Sequence, residues 1–368
     1  METNAGTKPV SDQHAIDTAT LQSWLEARLD GFQGPLSIEQ FKGGQSNPTY
    51  KLITPTRAYV MRSKPGPAAK LLASAHAIDR EFKVMTALHG SDVPVPIMHL
   101  LCEDESVIGR AFYVMEFIEG RVLWDQALPS IDTAQRAAYY DEMNRVIAAL
   151  HKVDVNAAGL SNYGKPGNYF DRQIGRWTKQ YRASITEPIE AMDRLAEWLP
   201  AHMPPSARDA AQVTVVHGDF RLDNLVFHKT ETRVMAVLDW ELSTVGHALA
   251  DFSYHCMAWH IPPGTFRGIG GLDHAALGIP DEADYVRRYC ERVGERVGAR
   301  SARKLQPEAL AADWNFYLAY NLFRLASITQ GIAKRVVDGI ASSAQAKATG
   351  ASTRPLAEMA WTFAQKAR

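Results

Sequence analysis

The stretch VTVVHGDFRLDN, residues 213–224, decides how this chain is read. An apolar run, the pattern of a buried strand, breaks into a polar loop that packs one His, two Asp and one Asn into eight residues. Asp and Asn cap the backbone of tight turns, so the loop could be a turn and nothing more. The same side chains also supply the oxygen ligands that a hard cation prefers. Fifteen residues after Asn224, the second apolar run AVLDW ends in Asp239. A short hairpin would set Asn224 and Asp239 side by side.

Working outward, the 368 residues are 46% hydrophobic and 22% charged, with a formal net charge of −1. That length suits about two domains, with apolar material for substantial cores. A balanced charge gives no global field toward nucleic acid or an anionic membrane. Cys102, Cys256 and Cys290 are too few and too far apart for a disulfide framework or a zinc pattern. The start METNAGTKPVSDQHAID lacks a basic segment followed by an apolar one. No run reaches the ~18 apolar residues of a membrane span. The expectation is a cytoplasmic protein without nucleic-acid or membrane partners.

Residues 1–18 are polar and read as a flexible arm. Leu21, Trp24, Leu25 and Leu29 then share one helical face, ended by Gly31 and Gly34. LSIEQFK, TYKLIT and AYVMRSK read as strands separated by the turns GGQSNP and PTR. A helix follows with Ile78, Phe82, Met85 and Leu88 on one face and Ser74 as its N-cap. IMHLLCED and AFYVMEFI add two strands. Residues 19–118 are therefore expected to form a five-stranded antiparallel sheet with one helix. From 119 to 368 the pattern turns helical. Tyr139, Met143, Val146, Ile147 and Leu150 mark one long helix, with others expected near 169–184, 188–200, 282–298, 306–335 and 353–367. The β-hairpin around Asp239 is embedded among them, and ASSAQAKATGAS at 341–352 reads as an exposed loop. The fold class is α+β, in two lobes. Clefts between lobes are favoured ligand sites.

Moving a phosphoryl group takes positioning and charge neutralisation more than covalent help. The protein-kinase catalytic loop, H-R-D-x-x-x-x-N, uses Asp as base and Asn as a metal ligand. HGDFRLDN keeps that spacing, with Gly218 in the place of Arg. His217 reads as a histidine bracing the loop, and Asp223 as a solvent-exposed or locally bonded loop residue.

Together with GGQSNPTYKL, YVMR, SAHAIDREFKVM, FYVMEFIEG, LDWELSTVG and FRLASITQG, this loop resembles the aminoglycoside phosphotransferase and choline-kinase superfamily. Within it, the chain is most similar to the branch associated with acyl-CoA dehydrogenases. The resemblance implies a bilobal protein-kinase-like fold, ATP as co-substrate and Mg2+ as cofactor. It makes Asp219 the catalytic base and Asn224 and Asp239 the metal ligands. Gly43, Gly44 and Ser46 would let backbone approach the phosphates, although GGQSN departs from the kinase glycine pattern and also fits an ordinary hairpin turn. Arg62 stands where a Lys is usual, with Lys64 as its rival, and Glu81 would orient the cation. Met115 would be the gatekeeper, with the Glu116 and Ile118 backbones bonding adenine. Asp251 would support the catalytic loop. His247-Ala248 replaces the Asp-Pro that the family often carries.

Gly218 replaces the Arg that could pair with a phosphorylated activation loop, and the short run to Asp251 leaves little room for a long one. A small-molecule hydroxyl acceptor follows. The stretch WNFYLAYNLFRLASITQGIAKR is aromatic and apolar, with Arg324 and Arg335 as candidate acceptor contacts. It hints at a neutral or anionic acceptor, and the resemblance points to a hydroxyacyl-CoA-like metabolite and an association with acyl-CoA metabolism. Two alternatives remain: a nucleotide-binding, pseudokinase-like regulatory module, or an aminoglycoside O-phosphotransferase.

Overall fold

Strand and helix order along the chain follow from a computed structural model that describes residues 6–11, 14–42, 47–65, 77–165, 167–294, 305–340 and 345–367. The chain splits into two compact units: residues 1–122 with 224–243, and residues 123–223 with 244–368. Each is described by itself.

The first unit is built on an antiparallel sheet of six strands, not the five expected. They are β1 (Thr7–Pro9), β2 (Ser37–Phe41), β3 (Thr49–Ile53), β4 (Ala58–Ser63), β5 (Met98–Cys102) and β6 (Phe112–Glu116), in the order β1-β2-β3-β4-β6-β5. The additional strand comes from the polar N-terminal stretch. Thr7 pairs with Phe41, and its hydroxyl donates to Glu39 at 2.6 Å. Three residues held by backbone bonds and one hydroxyl leave no alternating apolar pattern to read. Helix α1 (Thr18–Glu26) starts where the Asp17 side chain accepts from the Thr20 N–H. Its Leu21 and Leu25 are fully buried with Tyr50, Leu52, Tyr59, Met61 and Phe112 of the sheet. Burying such a leucine stabilises by roughly 1.5–3 kcal/mol.

On α2 (Ile78–Leu88) the apolar face differs from expectation: Glu81 is buried beside Ile78, Val84, Met85 and Leu88, while Phe82 is half-buried. A buried carboxylate is an informative exception, because Glu is almost never enclosed without partners. The expected cap Ser74 lies outside the described residues. A second sheet joins β7 (Arg121–Val122), β9 (Leu225–Phe227) and β10 (Val234–Val237), with β9 in the middle. Gly120 is required there, since a Cβ would stand 2.3 Å from the Phe227 carbonyl oxygen.

The second unit is mainly helical. Helix α3 (Thr133–His151) is capped by Asp132, whose side chain accepts from the Ala134 N–H. It buries Tyr139, Met143, Val146, Ile147 and Leu150, the expected face. Helices α4 (Tyr169–Ala183) and α5 (Glu190–Ala201) follow. The pair β8 (Val213–Val216) and β11 (Thr244–His247) is antiparallel, so VTVV pairs with the segment after the hairpin rather than with the hairpin itself. Helix α6 (Ala248–Cys256) leaves β11 directly and is buried throughout.

Helices α7 (Glu282–Gly294), α8 (Pro307–Val337), α9 (Ala346–Ala351) and α10 (Thr353–Lys366) complete the unit. The far end of the helix expected to reach 298 lies outside the described residues. Of the stretch read as a loop at 341–352, residues 341–344 lie outside the described residues and Ala346–Ala351 instead wind α9 against α8. A Cβ on Gly350 would come within 2.9 Å of the Ala333 Cα, so helix meets helix at a glycine. Its small and polar residues carry too little apolar periodicity to announce that contact.

Candidate active site

The loop expected to be catalytic grows out of β8 in the second unit. His217 is buried, and Gly218 turns the chain with φ of +81°, a conformation open to glycine but strained for other residues. The loop is fastened by Asp251, on α6. One carboxylate oxygen accepts from the His217 N–H at 2.7 Å and the other from the Gly218 N–H at 2.8 Å. His151 on α3 bonds the same carboxylate at 3.3 Å and the Tyr289 hydroxyl at 2.7 Å. Burial acts to raise the Asp251 carboxyl, but His151 and His217 overcome it and hold it below the usual carboxylate range. His217 Nδ1 accepts from the Asp219 N–H at 3.2 Å, so the ring braces the next turn of the loop.

The Asp219 carboxylate is held on both oxygens. Oδ1 accepts from the Tyr254 hydroxyl at 2.6 Å, and Oδ2 lies 3.0 Å from Arg221 Nη2. Burial, with the Asp219 charge adding to it, pushes the Tyr254 phenol well above its ordinary value. Asp223 is not an exposed loop residue: its side chain is nearly enclosed and ion-paired with Arg267 and, at 3.6 Å, with Arg221. Arg267 and its neighbour Phe266 both have positive φ, and such strained residues cluster at functional sites.

Asn224 and Asp239 belong to the first unit. The hairpin register pairs Leu225 with Val237, and the Leu238 N–H donates to the Asn224 carbonyl at 2.8 Å. Asn224 therefore lies across the hairpin from the residue before Asp239. Asp239 itself has φ 65° and ψ 58°, turning the strand end into the short 3-10 helix Trp240–Leu242. Asp adopts this left-handed region more readily than most residues. Its carboxylate keeps 35% of its surface exposed.

On β4, Arg62 faces this turn. Its Nη2 lies 2.9 Å from Asp239 and 3.5 Å from Glu241, and its Nε lies 3.4 Å from Glu81. Glu81 also accepts from the Asn47 amide and the Tyr113 hydroxyl, each at 3.1 Å. Burial disfavours the Arg62 charge, but Glu81 and Asp239 more than compensate and hold the guanidinium protonated. Burial pushes the Glu81 carboxyl up, with Arg62 opposing. Lys64 sits just past the end of β4, its backbone N–H donating to the Ala111 carbonyl. Arg62, not Lys64, makes the pair with Glu81.

The remaining expected residues are spread more widely. Met115 is buried on β6, paired with Val60 of β4. The Glu116 backbone N–H donates to Ile97, and its side chain accepts from the Ile97 N–H at 3.2 Å. Ile118 is half-buried just beyond β6. Gly43, Gly44 and Ser46 lie outside the described residues. Arg324 is buried, donates to the Gly218 carbonyl and lies 4.8 Å over the Tyr254 ring, so it meets the loop after β8. Arg335 stands exposed three turns further along α8, roughly 16 Å away at 1.5 Å per residue. The pair is not brought together. His247 caps α6 by accepting from the Leu249 N–H at 3.2 Å, in place of the family's Asp-Pro.

Sequence reasoning missed Tyr254, Arg221 and His151. For Tyr254 a signal existed: it lies three residues past Asp251, on the same helical face.

Oxygen donors on one hairpin suit Mg2+, which keeps several waters and takes only one or two protein ligands beside substrate phosphates. Among the described residues, no helix is long and apolar enough to cross a membrane. The phosphotransferase enzyme family, APH, matches residues 37–313. Mouse acyl-CoA dehydrogenase family member 10 is 45% identical over 363 residues, covering 98% of this chain but 32% of that protein. The chain thus spans about a third of that relative's length. A solved Ralstonia eutropha protein, provisionally named an aminoglycoside phosphotransferase, is 60% identical, with a TM-score of 0.85 over 96% of this chain and 100% of that one. A thermostable variant of the aminoglycoside phosphotransferase APH(4)-Ia, in complex with ADP and hygromycin B, has a TM-score of 0.58 at 14% identity, over 93% of this chain and 97% of that one, a likeness of fold alone. With a family match across most of its length, the chain belongs to the APH phosphotransferase enzyme family and has a kinase-like fold.

Proposed function

We propose that the protein transfers the γ-phosphoryl group of ATP to a hydroxyl of a small molecule. The observation that carries this reading is the hairpin bond from Leu238 to Asn224, which sets Asn224 and Asp239 as neighbours. Those two residues would hold Mg2+, which when bound neutralises charge on the phosphates. Asp219 accepts the proton of the acceptor hydroxyl as its oxygen bonds to the γ-phosphorus. The bond from that phosphorus to the bridging oxygen breaks, and ADP leaves. Arg62, oriented by Glu81, supplies positive charge toward the phosphates. The GGQS stretch would cover them, and the backbones after Met115 would hold the adenine.

The acceptor proposed is a hydroxylated acyl compound such as a hydroxyacyl-CoA. The support is the name of the mouse relative and the similarity across nearly all of this chain. One observation favours a second reading, a nucleotide-binding module without turnover: Arg62 engages Asp239, the same carboxylate that would hold the metal.

The test is turnover of Mg2+-ATP by wild type and Asp219→Asn, with hydroxyacyl-CoA thioesters, choline and hygromycin B as acceptors. Loss of a positioned base should lower kcat by about 100-fold or more. Equal rates in the two proteins would refute the role of Asp219. Nucleotide binding without turnover on any acceptor would favour the module, and turnover of hygromycin B alone would remove the acyl acceptor.

A further inference from the structure

We propose that Tyr254 is a positioning residue that fixes the orientation of the Asp219 carboxylate and leaves Oδ2 as the oxygen that meets the acceptor; this rests on Asp219 being the base. The hydroxyl donates to Oδ1 at 2.6 Å, within the range of a short charge-assisted bond. Tyr254 is only 5% exposed, whereas the Arg221 side chain on Oδ2 is 24% exposed. The enclosed partner is the permanent one, and the open side is where a substrate hydroxyl can arrive.

Its place on α6 and its contact with Arg324 make the phenol a fixed support. It stands on α6 one turn past Asp251, which binds the His217 and Gly218 N–H groups, so one helix sets both the backbone of the loop and the side chain of its Asp. Arg324 lies 4.8 Å over the phenol ring and also bonds the Gly218 carbonyl, closing the arrangement from behind. Burial and the Asp219 charge both oppose loss of the phenolic proton, so Tyr254 donates to the carboxylate and does not replace it as base. During transfer the acceptor proton passes to Oδ2 while Oδ1 keeps its bond to Tyr254. A carboxylate free to rotate would spend less time aligned for that transfer, which is the part of catalysis that orientation supplies.

The experiment compares wild type, Tyr254→Phe, Tyr254→His and Asp219→Asn in the full chain, with Mg2+-ATP and the acceptors named above, alongside crystal structures of wild type and Tyr254→Phe. Tyr254→Phe should lower kcat about 10-fold or more with KM for ATP unchanged. Its structure should show Asp219 turned or in two rotamers. Tyr254→His, which keeps a donor, should recover part of the rate. Thermal midpoints close to wild type would exclude misfolding. An unmoved, singly ordered Asp219 in Tyr254→Phe overturns the proposal, as does a wild-type kcat while Asp219→Asn is inactive. Full activity of Asp219→Asn would instead sink the base assignment beneath it.

Discussion

Arg62 Nη2 lies 2.9 Å from Asp239 Oδ1, across 177 residues of sequence. The same guanidinium contacts Glu81, so one cation serves a nearly enclosed carboxylate and a partly open one. Those environments rank the cost of losing each member. Arg62→Ala strands a buried Glu81 and should lower stability by about 3 kcal/mol, the order found when a buried pair loses one partner. Asp239→Ala leaves the Arg62–Glu81 pair intact and removes a contact near solvent, which should cost about 1 kcal/mol or less. Urea unfolding of both variants checks the ranking, and a larger loss for Asp239→Ala would contradict it.

Asp251 should leave a signature in acid. Its folded carboxyl titrates below the ordinary value, so its contribution is fully present above the unfolded value near ~4 and is lost as pH falls through the folded one. Asp251→Asn offers one oxygen where two backbone N–H groups need acceptors. It should destabilise by about 3 kcal/mol at neutral pH. The gap to wild type should narrow below about pH 4, as wild type loses the charged form. Denaturant midpoints at pH 7 and pH 3.5 give the comparison; a gap that widened in acid would mean the charge of Asp251 does not stabilise the fold.

Gly218 is expected to resist substitution for a backbone reason. At φ +81° an alanine Cβ crowds its own carbonyl, at a cost of about 1–2 kcal/mol. The Gly218 N–H and C=O are tied to Asp251 and Arg324, so the loop cannot relax without breaking one of them. Gly218→Ala should therefore lose both thermal stability and turnover. A variant with unchanged midpoint and rate would show that the turn is softer than it looks.

What the sequence made legible was local. The spacing from His217 to Asn224 and the apolar run ending at Asp239 fall within 23 residues, and the β9–β10 hairpin sets Leu238 across from Asn224. The periodic face of α3 was equally readable, because burial writes itself into every third or fourth residue. The Arg62–Asp239 pair was not readable, and the helical spacing from Asp251 marks the face of Tyr254 but not its bond to Asp219. Each joins residues from different elements, and no rule of spacing connects them. The sixth strand and the short helix α9 escaped because both rest on backbone bonding or glycine contact rather than on apolar pattern.

The pairing of Thr7–Pro9 with β2 has a practical bearing. Strand β2 ends at Phe41, directly before the GGQS stretch proposed to cover the phosphates, and the Lys42 N–H donates back to the Gly6 carbonyl. Trimming of the first ten residues to aid crystallisation would remove the strand that pairs with this approach. Kinetic constants gathered on such preparations would report the handling as much as the catalyst.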